Sequence, residues 1–164
     1  MKNHKLVEFL SVQGWHIVTM ESCTGGALAN AITNVPGSSA VLMDSFVTYS
    51  NEAKIKRGVS AELIDKFTVY SLEVAEAMAR QAVSNSVAVG RTIGVGITGS
   101  LTREDPNNPN SVPGKVYIGI HVSARGDGYG STYLYEMNVE STDREQGKQE
   151  ILEEIIPLIL KYAL

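Results

Sequence analysis

The sequence predicts an α/β protein: a single three-layer α/β/α domain over residues 1–164, with a mixed, mostly parallel sheet and a C-terminal antiparallel hairpin. Three observations predict it. Short apolar, β-branched runs alternate with helical patterns through the first hundred residues, which favours parallel strands joined by helices. Two strand-like segments, 115–123 and 131–139, flank the turn sequence ARGDGYG, as in a hairpin. No linker or shift of composition divides the 164 residues, and that length supports one buried core.

Each element has a local reason. Leu6, Phe9 and Leu10 fall at helical spacing within residues 3–13, and Gly14 can end that helix. WHIVTM (15–20) is short, aromatic and β-branched, a strand. The loop ESCTGG follows, then the Ala-rich helix GALANAIT and the turn VPGSS at 35–39. SFVTYS (45–50) reads as a strand running directly into the helix NEAKIKRG, capped by Ser50 or Asn51 and stopped by Gly58. Ser60 opens a short helix through Phe67. Ser71 opens a longer one, LEVAEAMARQAVSN, with Glu73 and Glu76 near its positive end. TIGVGIT (92–98) is a strand with two glycines, followed by a long polar loop, 99–114, with three prolines. After the hairpin, Thr142 and Glu145 suggest a capping box for a final helix with Ile151, Leu152, Ile155, Ile156 and Ile159 inward, kinked or split at Pro157.

Composition narrows the function. With 43% hydrophobic and 20% charged residues the chain reads as globular rather than disordered. A net charge of -4 argues against a nucleic-acid surface, which needs clustered Lys and Arg. The lone Cys23 rules out an internal disulfide and a sulfur-rich metal site, and points to a reducing compartment, the cytoplasm. The N-terminal stretch carries a charge within its apolar residues and does not read as a signal peptide, and no apolar run has the length of a membrane span.

The chemistry concentrates in ESCTGG. A strand, a glycine turn and a helix place Thr24, Gly25 and Gly26 at a helix N-terminus, where free amides favour an anion or a developing oxyanion. Ser22 and Cys23 are both candidate nucleophiles, with Ser22 ahead, since a single Cys is often a buried small hydrophobe. The same residues also suit plain helix capping. A serine needs a base. His4 falls on a charged surface; His16 and His121 lie within strands, and no Asp stands where it would orient either. Lys54 is the alternative: it lies one turn into a helix that leaves a strand end, where burial and the positive helix end both lower its proton affinity. Tyr49, five residues earlier, can orient it or pass a proton. Thr98 and Gly99, ending the glycine-bearing strand, can supply a hydroxyl and an amide to substrate.

Taken in order, ESCTGGALANAITNVPGSSAV, VTYSNEAKIKRGV, GVGITG and GKVYIGI resemble the C-terminal domain family of the competence/damage-inducible protein CinA, whose stand-alone members include nicotinamide-nucleotide amidases. The resemblance runs from about Val18 to the final helix, where Asp143, Arg144 and Lys148 fit the family's basic pattern. It implies hydrolysis of the carboxamide of nicotinamide mononucleotide to nicotinate mononucleotide and ammonia, without metal or cofactor. By this resemblance Ser22 is the nucleophile, Lys54 its base and Tyr49 an assistant. Thr24, Gly25, Gly26, Ser38, Thr98 and Gly99 line the substrate site. The implied partner is a small pyridine nucleotide, not nucleic acid or membrane, and the implied assembly is a homo-oligomer.

The chain departs from that family at two places. The family's Thr-Gly usually continues as Ile-Ala-Gly-Pro and more glycine, whereas here Ser100-Leu101-Thr102-Arg103-Glu104-Asp105-Pro106 follows. Arg103 can replace the lost glycine nest as a phosphate contact, while Glu104 and Asp105 oppose one. MDSF (43–46) likewise stands where glycines are common. Two other readings therefore use the same pocket: a nucleotide-binding regulatory module, and an amidase for another small amide.

Overall fold

The computed structural model describes residues 2–109, 111–126 and 129–164. Asn110 of the long polar loop, and Asp127 and Gly128 of the hairpin turn, lie outside them. The elements run α1 (Lys2–Gln13), β1 (His16–Glu21), α2 (Ala27–Thr33), β2 (Leu42–Val47), α3 (Asn51–Lys56), α4 (Ala61–Phe67), α5 (Leu72–Ser84), β3 (Thr92–Gly99), β4 (Lys115–Ser123), β5 (Ser131–Asn138) and α6 (Arg144–Ala163).

The strands form one sheet in the order β2-β1-β3-β4-β5. β1 pairs in parallel with both β2 and β3, and β4 is antiparallel to β3 and β5, so β4 alone runs against the other four. The expected hairpin is β4–β5. The alternation that predicts strands also sorts the two faces. Ile17, Ile93, Val95, Ile97, Val116, Ile118 and Ile120 face α1, α2 and α6, where Leu6, Leu10, Leu28, Ile32, Ile151 and Ile155 complete one core. Val18 and Met20 point the other way, onto Ile64, Val74, Met78 and Ala82 of α4 and α5. Each fully buried aliphatic side chain stabilises the fold by roughly 1.5–3 kcal/mol.

Two glycines within β3, Gly94 and Gly96, have a packing reason. A Cβ at Gly94 would lie 2.2 Å from the Ala79 carbonyl oxygen, and one at Gly96 2.4 Å from that of Ala75. Their bare backbone lets α5 lie directly on the central strand.

Among the boundaries that differ from expectation, three bear on the architecture. β2 spans 42–47 rather than 45–50, because its register is set by β1, from Ile17 opposite Leu42 to Glu21 opposite Val47. Its polar Asp44 is accommodated at the sheet edge, where the carboxylate accepts from the Ser86 hydroxyl (2.8 Å) and the Val87 amide (2.9 Å). α6 is capped by Asp143 instead of Thr142, with Oδ1 accepting the Gln146 amide at 2.8 Å. It also continues through Pro157, whose ring is on the exposed side while Ile151, Ile155, Ile156 and Ile159 hold both halves to the sheet.

The connections position the site. β1 reaches β2 through α2 on one face, and β2 reaches β3 through α3, α4 and α5, with α5 on the other. The chain thus leaves β1 and β2 toward opposite faces, and the carboxyl ends of β1, β2 and β3 gather at the switch point of the sheet, where open α/β sheets form a crevice.

Candidate active site

Ser22 is the first residue past β1. Its amide donates to the Ile97 carbonyl at 3.0 Å, extending the β1–β3 pairing by one step and fixing the serine between two strand ends. The turn then enters α2 through Gly25 (φ 60°) and Gly26 (φ 95°), left-handed conformations that suit glycine.

The anion at the start of α2 is the protein's own. Glu21 is fully buried. Its Oε1 accepts from the Thr24 hydroxyl (2.7 Å) and the Leu28 amide (2.9 Å), and its Oε2 from the Ala29 amide (3.0 Å) and the Thr19 hydroxyl (3.2 Å). A buried carboxylate is tolerable there because four donors and the positive helix end replace water. The Leu28 and Ala29 amides of α2 are thus satisfied from within the protein. The Gly25 amide is likewise spent on the Ser22 carbonyl at 3.0 Å, whereas the Cys23 and Thr24 amides carry no backbone hydrogen bond among the described residues.

Lys54 arrives from α3, which Ser50 caps by accepting the Ala53 amide at 3.0 Å. The lysine is 1% exposed. Its Nζ donates to the Thr48 carbonyl at 2.7 Å and lies 3.0 Å from Ser22 Oγ. None of the ion pairs among the described residues involves it. Burial without a carboxylate partner lowers its pKa from 10.5 to about 8, so a substantial neutral fraction exists in mildly alkaline solution. The Cys23 thiol goes the other way: burial, then the Glu21 charge, raise it to about 12, and it stays protonated.

A cavity of about 960 Å³ opens over this pair, and its lining includes Tyr49, Tyr70, Asp105 and Arg144. Of the residues anticipated from sequence, Ser22, Tyr49, Lys54, Gly99 and Arg103 line it, and Thr24, Gly25, Gly26, Ser38 and Thr98 do not. The Thr24 hydroxyl is turned to Glu21, and Gly25 and Gly26 form the turn beneath. Thr98 donates to the Val69 carbonyl at 3.0 Å and so ties β3 to the segment before α5. Ser38 belongs to a short 3-10 turn next to Val41, whose carbonyl meets the Ile17 amide at the start of β1, the end remote from Ser22.

Tyr49 occupies a different position from the one anticipated. Because β2 stops at Val47, Tyr49 sits in the connection, 65% exposed, with its hydroxyl accepting from Arg144 Nη2 at 3.4 Å. The backbone carbonyl of Thr48 is what holds the Lys54 amine, and a carbonyl leaves no trace in residue type. Arg144 also donates to the Thr102 hydroxyl at 3.3 Å, joining α6 to the rim. Sequence reasoning also passed over Glu21 as a structural carboxylate; its place directly before a helix start was the available signal. Among the described residues no group of three or more His, Cys, Asp or Glu could hold a metal ion.

The CinA C-terminal domain family model matches residues 2–163, which contain the sheet, both helical layers and the cavity. The chain belongs to the CinA C-terminal domain family. Relatives include the CinA-like protein of Chloroherpeton thalassium, 37% identical over 156 residues, covering 93% of this chain and 35% of that protein. The CinA-like protein of Kosmotoga olearia is 40% identical over 121 residues, covering 73% and 28%. The chain therefore spans about a third or less of the length of these curated relatives. A CinA superfamily protein from Escherichia coli shares the fold, with TM-score 0.85 at 24% identity, covering 98% of this chain and 88% of that one. The competence/damage inducible protein CihA of Agrobacterium tumefaciens superposes with TM-score 0.80 at 25% identity, covering 98% and 95%. In this CinA domain the rim after β3 is built from Ser100 to Asn108, with Leu101 buried in the core beneath and Arg103, Glu104 and Asp105 on the cavity. No helix among the described residues is long and apolar enough to cross a membrane.

Proposed function

We propose that this CinA domain hydrolyses the carboxamide of nicotinamide mononucleotide to nicotinate mononucleotide and ammonia, by a serine nucleophile with a lysine base. The observation that carries the reading is the buried amine of Lys54, 3.0 Å from Ser22 Oγ at the floor of a cavity large enough for a nucleotide. Neutral Lys54 takes the Ser22 proton as the oxygen attacks the amide carbon. The amide of Cys23, a residue that lines the cavity, is an available donor for the resulting oxyanion. Collapse breaks the C–N bond, and the proton held by Lys54 leaves with the nitrogen as ammonia. A water molecule, deprotonated by the same amine, then splits the acyl-serine and returns the hydroxyl. The Thr48 carbonyl keeps the amine aimed at Ser22 in every step.

The test is ammonia release from nicotinamide mononucleotide by the purified protein and by Ser22→Ala. Turnover that survives this substitution removes the mechanism. A second reading, an amidase for a different small amide, draws on Glu104 and Asp105 lining the cavity where a phosphate contact would otherwise stand. A panel of amides with and without phosphate separates the two.

A further inference from the structure

The loop after β3, which departs from the family pattern, is organised around one carboxylate. Asp105 Oδ2 accepts from the Tyr70 hydroxyl at 2.6 Å and from Asn108 Nδ2 at 2.7 Å, and its Oδ1 accepts from the Asn107 amide at 2.9 Å. Its own amide donates to the Ser111 hydroxyl at 2.7 Å, and its carbonyl accepts the Asn108 amide at 3.1 Å. These bonds reach two other parts of the molecule. Tyr70 belongs to the segment before α5, next to Val69, whose carbonyl holds Thr98 of β3. Asn108 Oδ1 accepts from Asn51 Nδ2 at 3.3 Å, and Asn51 is the first residue of α3, the helix that presents Lys54. Asp105, Tyr70, Asn108 and Asn51 all line the cavity.

We propose that Asp105 is a positioning residue: through Tyr70 on one side and the Asn108–Asn51 link on the other, it clasps the loop to α3 as a wall of the cavity, and so sets substrate affinity rather than the chemical step. The proposal rests on the cavity being the substrate site. The bonds that Asp105 accepts suit an ionised carboxylate, and its pKa is held below the usual value chiefly by the Tyr70 hydroxyl. Burial and that same bond push the Tyr70 phenol above its ordinary value, so the O–H···O⁻ form persists across the working pH range. The shape of this wall depends on bonds to an acceptor, and an amide in the same place would turn its NH₂ either to the Asn107 amide or to the Tyr70 and Asn108 donors.

The experiment compares Asp105→Asn, Tyr70→Phe and Asn51→Ala in the full chain by steady-state hydrolysis of nicotinamide mononucleotide, and by hydrogen exchange of the 100–111 backbone and the first turn of α3. The clasp predicts that Asp105→Asn raises KM by about tenfold or more while kcat stays within about threefold, as expected when an interaction common to bound substrate and transition state is lost. It predicts faster exchange in both segments. It also predicts that adding Asn51→Ala to Asp105→Asn has little further effect, because both break one link. A fall in kcat at unchanged KM, exchange unchanged in either segment, or additive KM effects would overturn it. Should Asp105→Asn fail to fold, Tyr70→Phe, which deletes one bond of the clasp, carries the same KM and exchange expectations. If the parent protein releases no ammonia, the hydrolase reading falls. The clasp is then judged by exchange and by calorimetric affinity for nicotinamide mononucleotide: weaker binding with faster exchange in Asp105→Asn supports it, and parent-like behaviour refutes it.

Discussion

Lys54 Nζ and Ser22 Oγ lie 3.0 Å apart across 32 residues of sequence, and the other bond of the amine is to the Thr48 carbonyl at 2.7 Å. Among the described residues neither group makes a hydrogen bond or ion pair to a carboxylate or histidine side chain, so in the proposed mechanism the protonation of one buried amine controls the hydroxyl. With burial lowering that amine to about 8, kcat/KM for amide hydrolysis should rise with pH through that value and level off above it. A pH–rate profile flat from 6 to 9 would separate turnover from this amine.

The same shift has a stability consequence. An amine with pKa about 8 when folded and 10.5 when unfolded binds fewer protons in the native state between those values. Stability therefore rises with pH across this window: the contribution is fully present above 10.5 and is lost as pH falls through about 8. Its size is about 3 kcal/mol at 1.4 kcal/mol per unit. Urea unfolding of the parent and of Lys54→Met should show the difference between them changing in the parent's favour as pH increases; parallel curves would count against the buried neutral amine.

Glu21 should prove structural. Replacing it by Gln gives the Leu28 and Ala29 amides and two threonine hydroxyls a single oxygen and an unwanted NH₂. Bonds to a charged group contribute roughly 1.5–3 kcal/mol each, so the substitution should destabilise the fold by about 3 kcal/mol or more. The midpoint of urea denaturation measures it, and a loss under about 1 kcal/mol would mean that water or α2 itself compensates.

Gly96→Ala should be damaging without touching the cavity. Its Cβ would meet the Ala75 carbonyl at 2.4 Å and the Ala79 amide nitrogen at 2.6 Å, so α5 must move off the sheet. Such overpacking costs about 1–3 kcal/mol or more. Thermal melting checks the figure, and an unchanged midpoint would place α5 farther from β3 than found.

Cys23 should be inert in the folded protein. With its thiol pushed up to about 12 and 5% exposed, it should react with a disulfide reagent at pH 8 by about three orders of magnitude more slowly than in urea. Equal rates in the two solvents would show a thiolate in the native site and reopen the choice of nucleophile.

Sequence determined what local chemistry can express. Alternation identified β4, the hairpin turn identified β5, serine caps identified α3, α4 and α5, and the turn and helix after β1 isolated Ser22. Lys54 was found from its place one turn past a strand end. Tertiary structure decided the rest, because the deciding partners come from backbone atoms or distant segments. β2 was displaced by its register with β1, and this moved Tyr49 to the surface and left the Thr48 carbonyl on the amine. Glu21 took two amides of α2 and two threonine hydroxyls, since these donors from β1, the turn and α2 converge only on folding. Asp105 read as a charge opposing phosphate, and only folding brings the hydroxyl of Tyr70, 35 residues earlier, onto its carboxylate. Burial and partner geometry are properties of the packed chain, and they turn residue types into a buried amine beside a serine hydroxyl, a carboxylate held by four donors and a hydrogen-bonded loop.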